Sequence, residues 1–410
     1  MTPAGPSERM RAPRGWVTEA RMADSPHARS LKAQAATLAA EGKLEAALAG
    51  YRDALRAEPE DAEIHQRVAE LLEWLERTPE AARAYDDAAL AWTRAGSLLR
   101  AVAAAVLSRG LRGSRAQTVR TLAERFALPP GALAPTFAWV PDGKDAGVPV
   151  LSGVGREAFV ALVDALEVRA FWPGQRVVEE GQPGDSMFAL VEGRAEVARR
   201  VEGNARQVVA TLGPGDFFGE VALVSEGPRL ASVEVRERSV LLEFKRQSLA
   251  RVSAAHPEVE AAVQAFYQRR LVDNLLRTSP LFTNLPPALK QAMSREFDLR
   301  VIPAGQVLLT QGQPGDAFYL LLRGQVQLSL EQPGRIVLLP ELREGDVFGE
   351  ISLLLDKPVS ATVRTKTACV VLRLERAAFE RHVVSQPGLK GQLMRMGTER
   401  LQQTAKALFV

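Results

Sequence analysis

The sequence predicts a multidomain α + β protein: an N-terminal α-helical repeat followed by two β-roll or jelly-roll domains with flanking helices. Three observations carry this expectation. An alanine-rich region repeats Ala47, Tyr51 and Ala54 as Ala81, Tyr85 and Ala88, at a constant interval of 34 residues. Further on, Gly181, Gly184, Asp185 and Gly193 return as Gly312, Gly315, Asp316 and Gly324, each 131 residues later. Finally, FGEVALVSEGPRLASV from Phe218 is answered by FGEISLLLDKPVSATV from Phe348, 130 residues on, so one residue was gained or lost between the two signals.

Composition sets the bounds. With 46% hydrophobic residues over 410 positions, the chain can bury two or three cores. A net charge of +3 is small for this length and argues against a nucleic-acid surface. The one cysteine, Cys369, lies in the apolar run TACVVLRL; it excludes an intrachain disulfide and fits a cytosolic compartment. No apolar run approaches the ~18 residues of a membrane span, and the N-terminus lacks the apolar core of a signal peptide. The expectation is a cytoplasmic protein with no membrane and no DNA partner.

Residues 1–29 are rich in Pro, Arg and Ser without periodicity and read as a disordered tail, with Met22 offering a second translation start. Residues 30–128 read as helical. Small residues where helices cross, a tyrosine filling the adjacent hole, and Pro59 closing the pair resemble tetratricopeptide repeats. SLLRAVAAAVLSRG and RAQTVRTLAERFAL supply a third pair, and an ordinary helical bundle is the alternative. Such a stack offers a surface to a protein partner. Residues 129–148, rich in Pro, Gly and Ala, form a linker. The domains at 149–278 and 279–410 each alternate short strands with glycine turns, with helices before and after.

The order G-x-x-G-D, an aromatic-aliphatic strand, G, and then F-G-E-x-[AS]-L resembles the cyclic nucleotide-binding domain of catabolite activator proteins, kinase regulatory subunits and gated channels. This resemblance implies a cyclic mononucleotide, cAMP or cGMP, as ligand, and no cofactor. It also implies contacts from Gly219, Glu220, Ala222 and Arg229, within a candidate site of Gly219, Glu220, Val221, Ala222, Arg229, Leu230, Ala231 and Ser232.

The chemistry of those residue types suits that ligand. Gly219 lets the backbone come close, and the helix start after it aims unpaired N–H groups at a phosphate. Glu220 is placed to accept a ribose 2′-hydroxyl proton, and Arg229 to bring two parallel donors to phosphate oxygens. Leu230 stands where the family usually has Ala, Ser or Thr; without a hydroxyl to reach guanine, cAMP is favoured over cGMP. Gly181, Gly184, Asp185 and Gly193 read as turn residues rather than contacts.

In the second copy the position of Arg229 is Val359, which cannot neutralise a phosphate. Losing a charged, bidentate contact costs about two to three powers of ten in affinity. The second domain is therefore expected to be degenerate, its remnant site being Gly349, Glu350, Ser352, Ser360, Ala361 and Thr362. If the missing cation is the sole defect, Val359→Arg restores anion binding.

Neither a phosphate-binding GxxxxGK[ST] loop nor a GxSxG nucleophile occurs, and no metal cluster is expected from four histidines and one cysteine. The expectation is a non-enzymatic regulatory adaptor with no catalytic or metal-binding residues. The alternative is a structural scaffold whose two barrels are empty. The tail after the last helix is too short for a DNA-reading helix-turn-helix, and the linker carries no Arg-Arg-x-Ala/Ser kinase-inhibitor pattern.

Overall fold

The computed structural model describes residues 25–111, 116–129, 149–200, 206–220, 223, 228–278, 281–282 and 285–408. Most of the expected tail (1–24) and linker (130–148), together with Val221 and Ala222, lie outside the described residues. The chain divides into two compact units, Met1–Ala265 and Phe266–Val410.

The first unit opens with helices α1 (Pro26–Ala40), α2 (Leu44–Ala57), α3 (Ala62–Trp74), α4 (Thr78–Arg94), α5 (Leu98–Gly110) and α6 (Ala116–Phe126). Local chemistry sets their starts. Ser25 caps α1, its Oγ accepting from the Ala28 N–H at 3.2 Å, and Pro26 sits in the first turn, where its missing N–H costs nothing. Asp61 caps α3 through Oδ1, which accepts from Glu63 N (2.9 Å) and Ile64 N (3.1 Å), while its Oδ2 accepts from the buried Lys32 ammonium at 2.8 Å.

Each helix packs on the next. The six repeat positions Ala47, Tyr51, Ala54, Ala81, Tyr85 and Ala88 are at most 1% exposed, so the 34-residue period marks the helix-crossing face. The turn before α2 takes a left-handed residue at Gly42 (φ 79°), and one repeat later the same conformation falls on Glu76 (φ 57°).

Short helices α7 (Pro149–Ser152) and α8 (Arg156–Ala165) lead into eight strands. These are β1 (Glu167–Phe171), β2 (Arg176–Val178), β3 (Ser186–Glu192), β4 (Ala195–Arg200), β5 (Arg206–Leu212), β6 (Phe217–Phe218), β7 (Ser232–Val235) and β8 (Ser239–Lys245). They form two four-stranded antiparallel sheets, ordered β1-β8-β3-β6 and β2-β7-β4-β5, closed over a core of Phe188, Leu190, Phe218, Val233, Val235 and Leu241. Strands β3 and β8 are buried along nearly their whole length. A half-buried strand would alternate; these do not, because α5 covers the outer face of β1, β3 and β8.

The helical array and the first barrel are joined through named side chains. Arg109 of α5 caps the end of α8, its Nη1 donating to Val163 O (3.1 Å) and its Nη2 to Leu166 O (2.7 Å). Arg67 of α3 donates from Nη1 to Glu70 Oε2 (2.7 Å) and from Nη2 to Glu192 Oε1 at the end of β3 (2.6 Å). Arg238 of the barrel donates to Glu70 Oε1 (3.4 Å) and lies over the Trp74 ring, 6.0 Å from its centroid. This face of α3 is therefore engaged within the unit. Helices α9 (Arg246–Ala255) and α10 (Pro257–Thr278) follow the barrel.

The second unit repeats the barrel. After α11 (Pro287–Glu296) come β9 (Asp298–Ile302), β10 (Val307–Leu309), β11 (Ala317–Arg323), β12 (Val326–Gln332), β13 (Arg335–Leu338) and β14 (Val347–Phe348). Helix α12 (Glu350–Leu355), strands β15 (Thr362–Thr365) and β16 (Cys369–Glu375), α13 (Arg376–Phe379), a π turn at Glu380–Val384 and α14 (Pro387–Leu408) complete it. The sheet orders, β9-β16-β11-β14 and β10-β15-β12-β13, match those of the first unit strand for strand. The two expected β-roll domains are present.

Candidate functional site

In the first barrel the residues before β3 and those before β7 form a short two-stranded contact. Arg229 N donates to Gln182 O at 2.8 Å, and Gly181 N donates to Arg229 O at 2.9 Å. This pairing fixes where the Arg229 side chain starts. Its guanidinium then reaches across the mouth of the roll, with Nη1 donating to Ser186 O (2.7 Å) and Gly219 O (3.1 Å). Among the described residues neither Nε nor Nη2 makes a hydrogen bond, and no carboxylate comes within ion-pair distance of Arg229. One nitrogen thus holds the group in place while its other edge, the pair of parallel donors that suits a phosphate, is unspent.

The electrostatics agree. Burial pushes the Arg229 guanidinium below its ordinary pKa, and the charges of Asp185 and Glu220 pull it back. An arginine remains charged at neutral pH under such a shift. Glu220 is itself buried, 6% exposed, at the end of the same turn.

Two glycines are required, for different reasons. Gly219 has φ 80°, and a Cβ there would lie 2.6 Å from Arg229 Nη1. Gly184 has an ordinary φ, but a Cβ on it would lie 2.0 Å from Arg229 Nε and 2.3 Å from Cζ. The reading of Gly184 as a turn residue is corrected on this point: it is glycine because the guanidinium lies against it. Gly181 (φ 84°) and Gly193 (φ 100°) are left-handed turn residues, as expected. No signal in one copy alone distinguishes Gly184 from them.

The structure thus brings Gly219, Glu220 and Arg229 together. Ser232 opens β7, and its Oγ accepts from Glu180 N at 3.0 Å, pinning the incoming loop. Leu230 and Ala231 are half-buried beside it. The carbonyl of Ser186, which holds the arginine, is a member of the site that the sequence pattern did not single out.

The second barrel keeps the frame and changes the contents. Val359 N donates to Gln313 O (2.9 Å) and Gly312 N to Val359 O (2.9 Å), so Val359 takes Arg229's place by register. Gly349 is left-handed (φ 86°) like Gly219. Thr362 Oγ1 accepts from Gln311 N (3.1 Å) as Ser232 does from Glu180, while Ala361 is buried and Ser360 exposed. Glu350, 1% exposed, accepts at 3.1 Å from Arg400 Nη1 of α14. Burial raises the Glu350 pKa, and Arg400 works against that rise.

With this geometry established, the chain can be set beside known proteins. Two segments, 168–256 and 299–385, match the cyclic nucleotide-binding domain family. Curated relatives include the cAMP-dependent protein kinase regulatory subunits of Emericella nidulans, 33% identical over 50% of this chain and 50% of that one, and of Aspergillus fumigatus, 31% identical over 57% and 56%. The chain spans about half the length of these relatives. Among solved structures, the regulatory domain of Toxoplasma gondii PKA with cAMP is 22% identical, covering 64% of this chain and 99% of that one with a TM-score of 0.31. The Thermus thermophilus catabolite activator protein is 28% identical, covering 32% and 61%, with a TM-score of 0.29.

Each of the two barrels thus contains a segment that matches the cyclic nucleotide-binding domain family, and both follow a helical N-terminal region. The curated relatives named above are regulatory subunits. Among the described residues there is no cluster of His, Cys, Asp and Glu able to hold a metal, and no helix long and apolar enough to cross a membrane.

Proposed function

We propose that the protein is a non-enzymatic regulatory adaptor that binds one cyclic mononucleotide, cAMP in preference to cGMP, in its first barrel. The observation that carries this reading is the half-buried Arg229, held by one nitrogen on Ser186 O and Gly219 O with its Nε–Nη2 edge unspent. A cyclic phosphate supplies the two oxygens that this edge lacks, and Glu220 accepts from the ribose 2′-hydroxyl. The preference for cAMP rests on Leu230, which has no hydroxyl for a guanine.

The second barrel is read as degenerate for cyclic nucleotides, with Val359 in the position of Arg229. The helical repeats, read as tetratricopeptide-like, present their free faces to a protein partner, the α3 face being spent on Glu192 and Arg238. The curated relatives are subunits of a kinase, which makes a kinase catalytic chain one candidate partner. Leu230, bulkier than the Ala, Ser or Thr usual in the family, favours a second reading, a ligand-free scaffold. Titration calorimetry with cAMP and cGMP decides between them. One binding event per chain, stronger for cAMP, is expected; no heat with either ligand would sink the proposal in favour of the scaffold.

A further inference from the structure

We propose that Ser352, acting together with Val359, closes the second barrel to cyclic phosphates, so that the missing arginine is only half of the reason. This rests on the reading of the first barrel as the ligand site. There, the space over Gly184 is filled by the Arg229 guanidinium, which comes as close as 2.0 Å to where a Cβ would stand. In the second barrel the corresponding space over Gly315 is already occupied, though not by residue 359. A Cβ on Gly315 would lie 2.3 Å from Ser352 Oγ and 2.8 Å from Ser352 Cβ, with Val359 Cγ2 farther off at 3.7 Å.

Ser352 is not a passive filler. Its Oγ donates to Lys357 O at 2.6 Å, and its own carbonyl accepts from Lys357 N at 3.1 Å and from Asp356 N. The three bonds buckle the turn after α12, where Asp356 adopts a left-handed conformation (φ 48°). Arg376 adds an outer strap, donating from Nε and Nη2 to Gly315 O (3.2 and 2.9 Å) and from Nη1 to Asp356 Oδ1 (3.2 Å). The hydroxyl is therefore satisfied and 3% exposed, in the place where a guanidinium would have to lie. At the matching position the first domain has Ala222, which carries no hydroxyl, and Gly227 in place of Lys357.

An arginine at 359 would start from the right backbone position and meet an occupied seat. Ser352→Ala removes the oxygen, releases the Lys357 carbonyl and gives position 352 the side chain that the first domain carries at 222. The two changes are thus expected to be non-additive: neither alone makes a site, and both together do.

The experiment titrates cAMP into the full chain carrying Arg229→Ala, which silences the first barrel. On that background Val359→Arg and Ser352→Ala are each expected to show no binding, whereas the Ser352→Ala, Val359→Arg pair binds one cAMP. Equal binding by Val359→Arg with Ser352 intact would overturn the proposal. So would the absence of binding by the pair when its thermal unfolding shows it folded. If the pair does not fold, Ser352→Ala with Val359→Lys brings a point cation to the same seat and is judged by the same two outcomes. The unaltered chain is the control for the reading of the first barrel. Its silence beside a binding pair would sink that reading and leave this one standing.

Discussion

Arg67 and Glu192, 125 residues apart in sequence, meet at 2.6 Å and tie the third helix of the repeat array to the last residue of the strand whose first carbonyl, Ser186 O, holds Arg229. Strand β3 thus has the candidate ligand site at one end and the helical array at the other. Arg67 is only 6% exposed and Glu70 2%, so the joint is made of buried charge, which is costly to leave unpaired.

Removing one partner is expected to be severe. Arg67→Ala leaves the buried Glu70 with Arg238 and the Gln66 amide as its partners and is expected to lower the stability of the first unit by about 3 to 5 kcal/mol, measured by denaturant unfolding. The apolar pair Arg67→Met with Glu70→Leu is expected to recover most of that loss. A loss under about 1 kcal/mol for Arg67→Ala would mean the joint does not form in solution.

The same cluster gives a pH dependence. Burial alone would raise the Glu70 carboxyl, but Arg67 and Arg238 outweigh it and bring it from 4.5 down to about 2. A carboxyl depressed in the folded state adds stability that is complete above its unfolded pKa and is lost as pH falls through the folded one. Stability is therefore expected to decline between about pH 4.5 and pH 2, and Glu70→Gln is expected to flatten that part of the profile. An unchanged slope in the variant would assign the acid sensitivity to other carboxylates.

Gly184→Ala tests the cradle without removing a charged group. Its methyl would overlap the guanidinium and displace the Nε–Nη2 edge. Affinity for cAMP is expected to fall at least about tenfold, the loss of part of a charge-assisted hydrogen bond, while Gly213→Ala, which meets nothing within 4 Å and has no left-handed φ, changes binding little. Arg229→Ala is expected to abolish binding and leave the melting temperature of the empty protein nearly unchanged. Equal affinity in Gly184→Ala and the parent would remove Gly184 from the site.

Glu76 holds a left-handed conformation that its counterpart one repeat earlier, Gly42, adopts without strain. Glu76→Gly is expected to stabilise the first unit by about 0.5 to 1 kcal/mol, the strain relieved exceeding the flexibility gained by the unfolded chain. Chemical denaturation reads this directly, and a destabilised variant would refute it.

If the ligand regulates anything, its binding must differ between two states of the chain. Hydrogen exchange is expected to slow on cAMP binding across residues 262–285, and less strongly across the linker at 129–148. Protection confined to 215–235 would describe a binding scaffold and not a switch.

Some of this was legible in the residues alone. The 34-residue period of Ala47, Tyr51 and Ala54, and the recurrence of Gly181 and Gly193 at 131, determined the helical array, the duplicated barrel and the positive-φ turns. Periodicity and glycine placement report local conformation and which face is buried, and these are properties of short stretches. The sequence also singled out Arg229 and Val359, because a charge gained or lost between two copies of one motif needs no structure to be noticed. What lies against what was decided only by the tertiary structure. Gly184 looked like Gly181 until the guanidinium was found against it; Ser352 read as a remnant of the site until its hydroxyl was found in the arginine's seat; Arg67 gave no sign of Glu192. Each of these depends on two segments far apart in the chain being brought within contact distance, and a side chain's partner across such a gap is set by how the sheets and helices pack, which no local pattern records.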